Sequence, residues 1–260
     1  MSKRPVRVLS LVLLGLAGTA LISGCDVRRN TLEDGLSEPD AITEIRIAGG
    51  SGNVEIIGDS TAGVEVRRIA RYRDVKPGQS MTIAGSTLNL DTDCGTDCSA
   101  SYEVRVSRGV RVTGDNDSGN VTLRGVSDVD VRLASGNVKV DGATGTVTLE
   151  ADSGNIDISD VAGTVRAKVS SGNIDGRNLR GTRTTLETDS GNIEVSIPGT
   201  GDLTASANSG NVHVRLPDRC CRILTSVDSG RVDMDAQQDP QSSHLVDLKT
   251  DSGTIEVRSA

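Results

Sequence analysis

The chain contains no phenylalanine and no tryptophan, and its only tyrosines are Tyr72 and Tyr102. That excludes a core of stacked rings and the aromatic platforms on which sugars or bases are held. Histidine is almost as scarce, with His213 and His244 alone among 260 residues. His213 stands between Val212 and Val214, in a polar column with Lys139, Asp157, Asp175, Glu194 and Asp233, and reads as a solvated strand residue. His244 follows the irregular stretch after Gln237 and reads as a loop residue. No nucleophile elbow, phosphate loop or zinc-protease signature occurs. Alternating carboxylates offer a glycosidase pair in principle, but the aromatic groove such sites use is missing. The residues therefore predict no catalytic group, no cofactor and no metal, and a protein that is not an enzyme. Positive charge is also short: 28 Lys and Arg face 36 Asp and Glu, a net charge of −8. That excludes a nucleic-acid partner and purely electrostatic adhesion to anionic lipid.

What the chain has in abundance is one tripeptide. Ser-Gly-Asn occurs at Gly52 and again at Gly119, Gly136, Gly154, Gly172, Gly191 and Gly210, with variants at Gly230 and Gly253. From Gly119 onward the glycines are 17, 18, 18, 19, 19, 20 and 23 residues apart. A fixed period marks a repeat architecture. An apolar, polar, apolar triplet follows each motif, as in Val138-Lys139-Val140 and Ile156-Asp157-Ile158, and a second precedes it, as in Val147, Leu149, Ala151. Alternation with period two is a strand with one buried face. One repeat is thus strand, turn, strand, turn, a unit that buries its apolar side only when copies stack. The pattern predicts an all-β fold, a parallel β-solenoid (β-helix-like) of about 18-residue Ser-Gly-Asn repeats with aliphatic columns inside. A propeller or sandwich is the alternative, although larger side chains normally fill the space between its layers.

The motif has a mechanical reading. Glycine permits a positive φ at a corner, and asparagine tolerates the same region and can bond to its counterpart on the next copy. The competing reading is a calcium site, since Asp117, Asp152, Asp189, Asp228 and Asp251 precede the motif. Calcium needs six to eight converging oxygens. Ala134, Ser170 and Asn208 interrupt the carboxylate column, which favours turn geometry.

Residues 1–24 read as a lipoprotein signal peptide. Lys3, Arg4 and Arg7 precede an apolar run from Val8 to Leu21 that is too short to span a bilayer. The run ends in Leu21-Ile22-Ser23-Gly24-Cys25, which resembles a lipobox, so Cys25 is expected to carry the lipid and to begin the mature chain. Two acyl chains hold a protein on a membrane where one is marginal. Asp26 resembles an inner-membrane retention signal of some two-membrane bacteria. Removing residues 1–24 deletes three basic residues and no acidic one, so the net charge moves from −8 to −11. Residues 25–41 read as a flexible tether and residues 42–258 as the β-repeat domain. The stretch from Arg67 to Ser101 lacks the period and reads as an irregular part of the N-terminal cap.

Four further cysteines remain. Cys94 and Cys98 flank a short loop of an exported chain and are expected to form a disulfide. Cys220 and Cys221 are adjacent, and Cα atoms about 3.8 Å apart lie below the usual disulfide range. Their state, strained bridge or free redox pair, stays open. The spacing of the four suits no zinc ribbon or knuckle.

The run from Asp152-Ser153-Gly154-Asn155-Ile156 to Asp189-Ser190-Gly191-Asn192-Ile193 resembles the Toastrack domain, also called the putative-adhesin domain, of bacterial envelope proteins. The resemblance covers about Ile42 to Val257 and implies a parallel, solenoid-like fold. It carries no ligand residues. Ser107-Arg108-Gly109 replaces the usual Pro-x-Gly turn, and Cys220-Cys221 stands where an aromatic residue often begins a strand. The expected function is that of a lipid-anchored, non-enzymatic envelope protein. It faces the extracytoplasmic side of the bacterial membrane, in periplasm or at the cell surface. It presents a scaffold for adhesion, or for contact with an envelope protein or cell-wall component. The alternative is an accessory sensor or regulator in envelope-stress signalling, which related domains resemble.

Overall fold

The alternating Val, Ile and Leu positions all become strands of one sheet. The computed structural model describes residues 29–260, with 21 strands and, among those residues, no helix. The first seven are β1 (Asn30–Glu38), β2 (Glu44–Ala48), β3 (Val54–Asp59), β4 (Val64–Tyr72), β5 (Met81–Ala84), β6 (Thr87–Asp91) and β7 (Cys98–Ser107). The repeats then give β8 (Arg111–Ser118), β9 (Val121–Arg124), β10 (Val129–Ser135), β11 (Val138–Asp141), β12 (Val147–Ser153) and β13 (Ile156–Ser159). They continue as β14 (Val165–Ser171), β15 (Ile174–Arg177), β16 (Arg183–Ser190), β17 (Ile193–Ser196), β18 (Asp202–Ser209) and β19 (Val212–Leu216). Two long strands finish the chain, β20 (Arg222–Met234) and β21 (Leu245–Ser259).

From Gly119 onward each Ser-Gly-Asn is the corner between a longer strand and a shorter one. Longer strands pair in parallel with the longer strand of the next copy, so that Val129 faces Val147 and Val147 faces Val165. Shorter strands do the same, Val138 facing Ile156 and Ile156 facing Ile174. The two arms enclose the core between them. Val131, Leu149, Ala167, Leu186, Ala205 and Leu248 form one buried column, and Val138, Ile156, Ile174, Ile193, Val212 and Ile255 face it from the other arm. Each such aliphatic contributes about 1.5–3 kcal/mol of transfer free energy. Packing is adjusted within a coil. At the inward position Gly176, a Cβ would meet Leu179 Cδ1 at 3.0 Å and Val195 Cγ2 at 3.2 Å, so the larger turn residue occupies the space the glycine leaves.

The corner glycines are obligatory for two reasons. Their φ angles are positive, +123° at Gly136 and +146° at Gly172, a region where a side chain is strained. A Cβ at either one would also collide with the carbonyl oxygen of the glycine one copy earlier, Gly119 or Gly154. The asparagines do form the expected ladder. Asn137 Oδ1 accepts the Asn155 backbone N–H at 2.9 Å and Asn155 Nδ2 at 3.2 Å, and the contact recurs from Asn53 to Asn211.

Order along the stack departs from order along the chain at both ends. β2 and β3 lie inside the stack, between β6/β7 and β8/β9. β21 lies between β18/β19 and β20, which makes β20 the outermost strand. The N-terminal end adds antiparallel strands: β4 on β7, β1 on β4, and β5 on β6.

Two expectations are corrected here. Most of the expected tether is strand β1, paired over nine residues with β4 from Asn30–Tyr72 to Glu38–Val64. Leu32, Asp34 and Leu36 turn one face of β1 toward the sheet, and Asp34 is held by the buried Arg68. The stretch from Arg67 to Ser101 is not irregular: it carries the end of β4, all of β5 and β6, and the start of β7. Its strands pair antiparallel or with β2, so they lack the repeat's spacing.

Candidate functional site: a charged concave face at the capped end

The N-terminal cap is organised by one arginine. Arg68 is only 2% exposed, yet it makes a two-pronged ion pair with Asp34 of β1 and donates to the Gly78 carbonyl at 2.6 Å. It also reaches Ser80 Oγ, which contacts Tyr102 Oη at 2.6 Å; Tyr102 Oη lies 2.7 Å from the Asp91 carbonyl. Burial raises the Tyr102 pKa. Desolvation acts against the charged form of Arg68, yet Asp34 and Tyr102 together leave its pKa raised. A buried charge of this kind persists only when paired and fully bonded.

With β1 fixed, the outer face of β1, β4, β7 and β3 curls into a cleft of about 750 Å³. A second hollow of about 440 Å³ continues it toward β9 and β11 and shares Glu55 and Glu103. The cleft is lined by Glu33, Glu55, Glu65, Glu103, Arg67 and Arg105, with Ile57 among them. Arg67 bridges Glu33 at 2.7 Å and Glu103 at 2.9 Å, and Arg124 pairs with Glu55 at 3.2 Å. The hydrogen bond from Arg67 holds the Glu33 carboxyl below its ordinary range, and both glutamates push the Arg67 pKa up. Arg105 pairs with Asp59 at 3.1 Å, and the Asp59 carboxyl is held low first by Thr61.

A general acid at neutral pH needs a raised carboxyl, and a nucleophile needs an adjacent base. Arg67 holds the Glu33 carboxyl low, and no histidine lines the cleft. One carboxyl elsewhere is raised, that of Asp175, chiefly by burial; Asp157 and Glu194 beside it in the column add to the effect. Its Oδ1 is buried without a partner, while Oδ2 takes Arg177 at 2.6 Å. It lies on the flat of the short-strand arm and outside the clefts described above.

The residues singled out from the sequence are not brought together. Cys25 lies outside the described residues. Cys94 and Cys98 sit at disulfide distance with Cα atoms 5.4 Å apart. Cys220 and Cys221 are likewise in bonding reach, Cα atoms 3.8 Å apart, in the turn before β20. His213 is on β19 with Nδ1 3.2 Å from Glu256, and His244 is in the loop before β21. The aspartates before the motif alternate in the stack with Ala134, Ser170 and Asn208, and no cluster of metal-ligating side chains forms among the described residues. Sequence reasoning missed the cleft because β1 was read as tether. The signal present was the alternation Leu32, Asp34, Leu36 against Val64, Val66, Arg68, Ala70.

A mostly parallel sheet of stacked strand pairs, cornered by glycine and asparagine and charged outside, defines a repeat-built all-β scaffold. The family model of Toastrack DUF4097 matches residues 38–258, and the chain belongs to that family. Among solved structures it is similar to a "putative adhesin" from Bacteroides fragilis NCTC 9343, with 14% identity, TM-score 0.48, and coverage of 88% of this chain and 97% of the other. It is also similar to a "putative adhesin" from Parabacteroides merdae ATCC 43184, with 13% identity, TM-score 0.36, and coverage of 88% and 96%. No curated protein matches the chain.

Proposed function

We propose that this chain is a non-enzymatic scaffold of the bacterial envelope. In this reading Cys25 carries a lipid that holds it to the membrane on the extracytoplasmic side. The body is a parallel β-solenoid of about 18-residue rungs, and the charged face at the capped end is where an envelope protein or cell-wall component docks. The observation that carries the reading is the cleft itself: Glu33, Glu55 and Glu103 are each paired with an arginine, and no histidine lines it. Such a surface favours a partner carrying both charge signs, which exchanges its own ion pairs for those already present. The names of the similar solved structures fit an adhesin-like role. Glu65 lines the cleft and has no ion pair among the described residues, so it is the group most open to a partner. The test is a pull-down from detergent-solubilised envelope with wild type and Glu65→Lys, alongside fatty-acid labelling of wild type and Cys25→Ser. The expected result is a specific partner or wall component retained by wild type and reduced with Glu65→Lys, and label lost with Cys25→Ser. Retention of nothing specific refutes the docking role, and unlabelled wild type refutes the anchor.

A further inference from the structure

The two ends of the stack are built differently. At the N-terminal end, β5 is four residues long, Met81 is buried, and β1 turns Asp34 into the Arg68 network. At the other end, β20 is a 13-residue edge with no further strand on it among the described residues. Of the four large apolar side chains exposed among the described residues, three belong to β20: Leu224 at 48%, Val232 at 42% and Met234 at 40%. Val232 and Met234 occupy inward positions of the core columns, in register with Ile255 and Val257, so the core is left open there. Natural sheet edges are normally short, or guarded by lysine or proline; β20 contains neither.

We propose that β20 pairs edge to edge with β20 of a second copy, making a two-fold symmetric, end-to-end dimer with a continuous core. The backbone sets the possible register. Within the coil, inward residues send their N–H to the next strand outward, as Val129 does to the Thr146 carbonyl at 2.8 Å and Val138 to Asn155 at 2.9 Å. On β20 the N–H groups of Arg222 and Asp235 are committed to the β21 side, at His244 and Val257. The alternate residues Thr225, Val227, Val232 and Met234 therefore point N–H and carbonyl at the free edge. Ile223 is out of play, because its N–H takes Gln238 Oε1 at 3.2 Å.

A two-fold axis through the corner lays the first arm of one copy antiparallel on the second arm of the other. Antiparallel partners that exchange both hydrogen bonds must each face the edge. The register that leaves Ile223 aside sets Val227 against Val232 of the second copy and Thr225 against Met234. The same register sets Asp228 opposite Arg231 of the second copy, twice by symmetry. Neither Asp228 nor Arg231 has an ion pair among the described residues. Asp228 instead lies beside Asp251, a like-charge neighbour that an incoming arginine offsets. Only one end is open, so the contact closes at two copies rather than growing into a fibre. A rung of about 20 residues is at the lower edge of what a stable interface uses on each side.

The test measures the mass of the full chain in detergent by light scattering, with the detergent contribution subtracted, for wild type, Asp228→Arg, Arg231→Asp and the double swap. Wild type is expected at twice the mass of one processed chain. Each single reversal places like charges opposite each other and raises the dimer dissociation constant about tenfold or more. The double swap restores the pair and the dimer, which separates interface loss from misfolding. A fourth variant, Val232→Lys, is expected to be monomeric with an unchanged circular-dichroism spectrum. A monomeric wild type at about 100 µM overturns the proposal, as does a dimer indifferent to both charge reversals and to Val232→Lys. A double swap that stays monomeric while folded overturns the register.

Discussion

Replacing Gly172 by alanine tests the corner geometry most directly. Gly172 has φ +146°, and a Cβ there would strike the Gly154 carbonyl oxygen, which is backbone and cannot rotate away. The dihedral strain alone costs about 1–3 kcal/mol. Moving the two corners apart also stretches the bonds that stitch them to their neighbours, Gly172 N–H to Ser190 at 2.9 Å and Gly154 N–H to Ser171 at 3.0 Å. Each weakened bond adds about 0.5–1.5 kcal/mol. The combined loss is about 2–6 kcal/mol, a large part of the ~5–15 kcal/mol of an ordinary domain. The assay is equilibrium unfolding in urea, with the midpoint lowered and the slope unchanged if the coil still melts as one unit. Gly199→Ala is the matched control, because a Cβ at Gly199 meets nothing within 4 Å. It should lie within about 0.5 kcal/mol of wild type or slightly above it. If Gly172→Ala loses less than about 1 kcal/mol, the collision argument is wrong and the corner has slack.

Arg68→Met should lower stability by about 3 kcal/mol, since it strands the Asp34 carboxylate against the cap; limited proteolysis should then cut β1 first. Equal protease resistance in variant and wild type would show that β1 is held by its backbone ladder alone. Asp175 has a raised carboxyl, so its favourable contribution exists below the ordinary carboxyl pKa and is lost as pH rises through the raised value. Asp175→Asn is therefore expected to gain a few tenths of a kcal/mol at pH 7 in thermal melts, solvent screening keeping it small, and to gain nothing near pH 3. A destabilised variant at pH 7 would mean that the Arg177 pair dominates. Reducing the Cys94–Cys98 bridge should cost about 2 kcal/mol by loop entropy alone, read as a lower melting temperature of the Cys98→Ser variant.

The regular body was legible in the sequence because its physics is local and repeated. Val138, Ile156, Ile174 and Ile193 alternate with polar residues, and glycine recurs where a side chain cannot fit. The cleft was not legible. It depends on β1 and β4, whose pairing partners lie 26–42 residues apart, as Glu38–Val64 and Asn30–Tyr72 show, and not one repeat away. Arg68 reads as a solvated charge until Asp34 and Ser80 are placed around it.

By itself the sequence determined an all-β chain with a Gly-Asn corner in each repeat and aliphatic columns inside, because period, side-chain volume and residue type carry those properties without reference to distant contacts. The tertiary structure alone decided the order of the end rungs. β2/β3 and β21 are inserted inside the stack out of chain order, so Val232 and Met234 of β20, and not Ile255 and Val257 of β21, stand at the open end. The choice rests on which edges the caps leave free, and it closes one end over Arg68 while leaving β20 bare at the other.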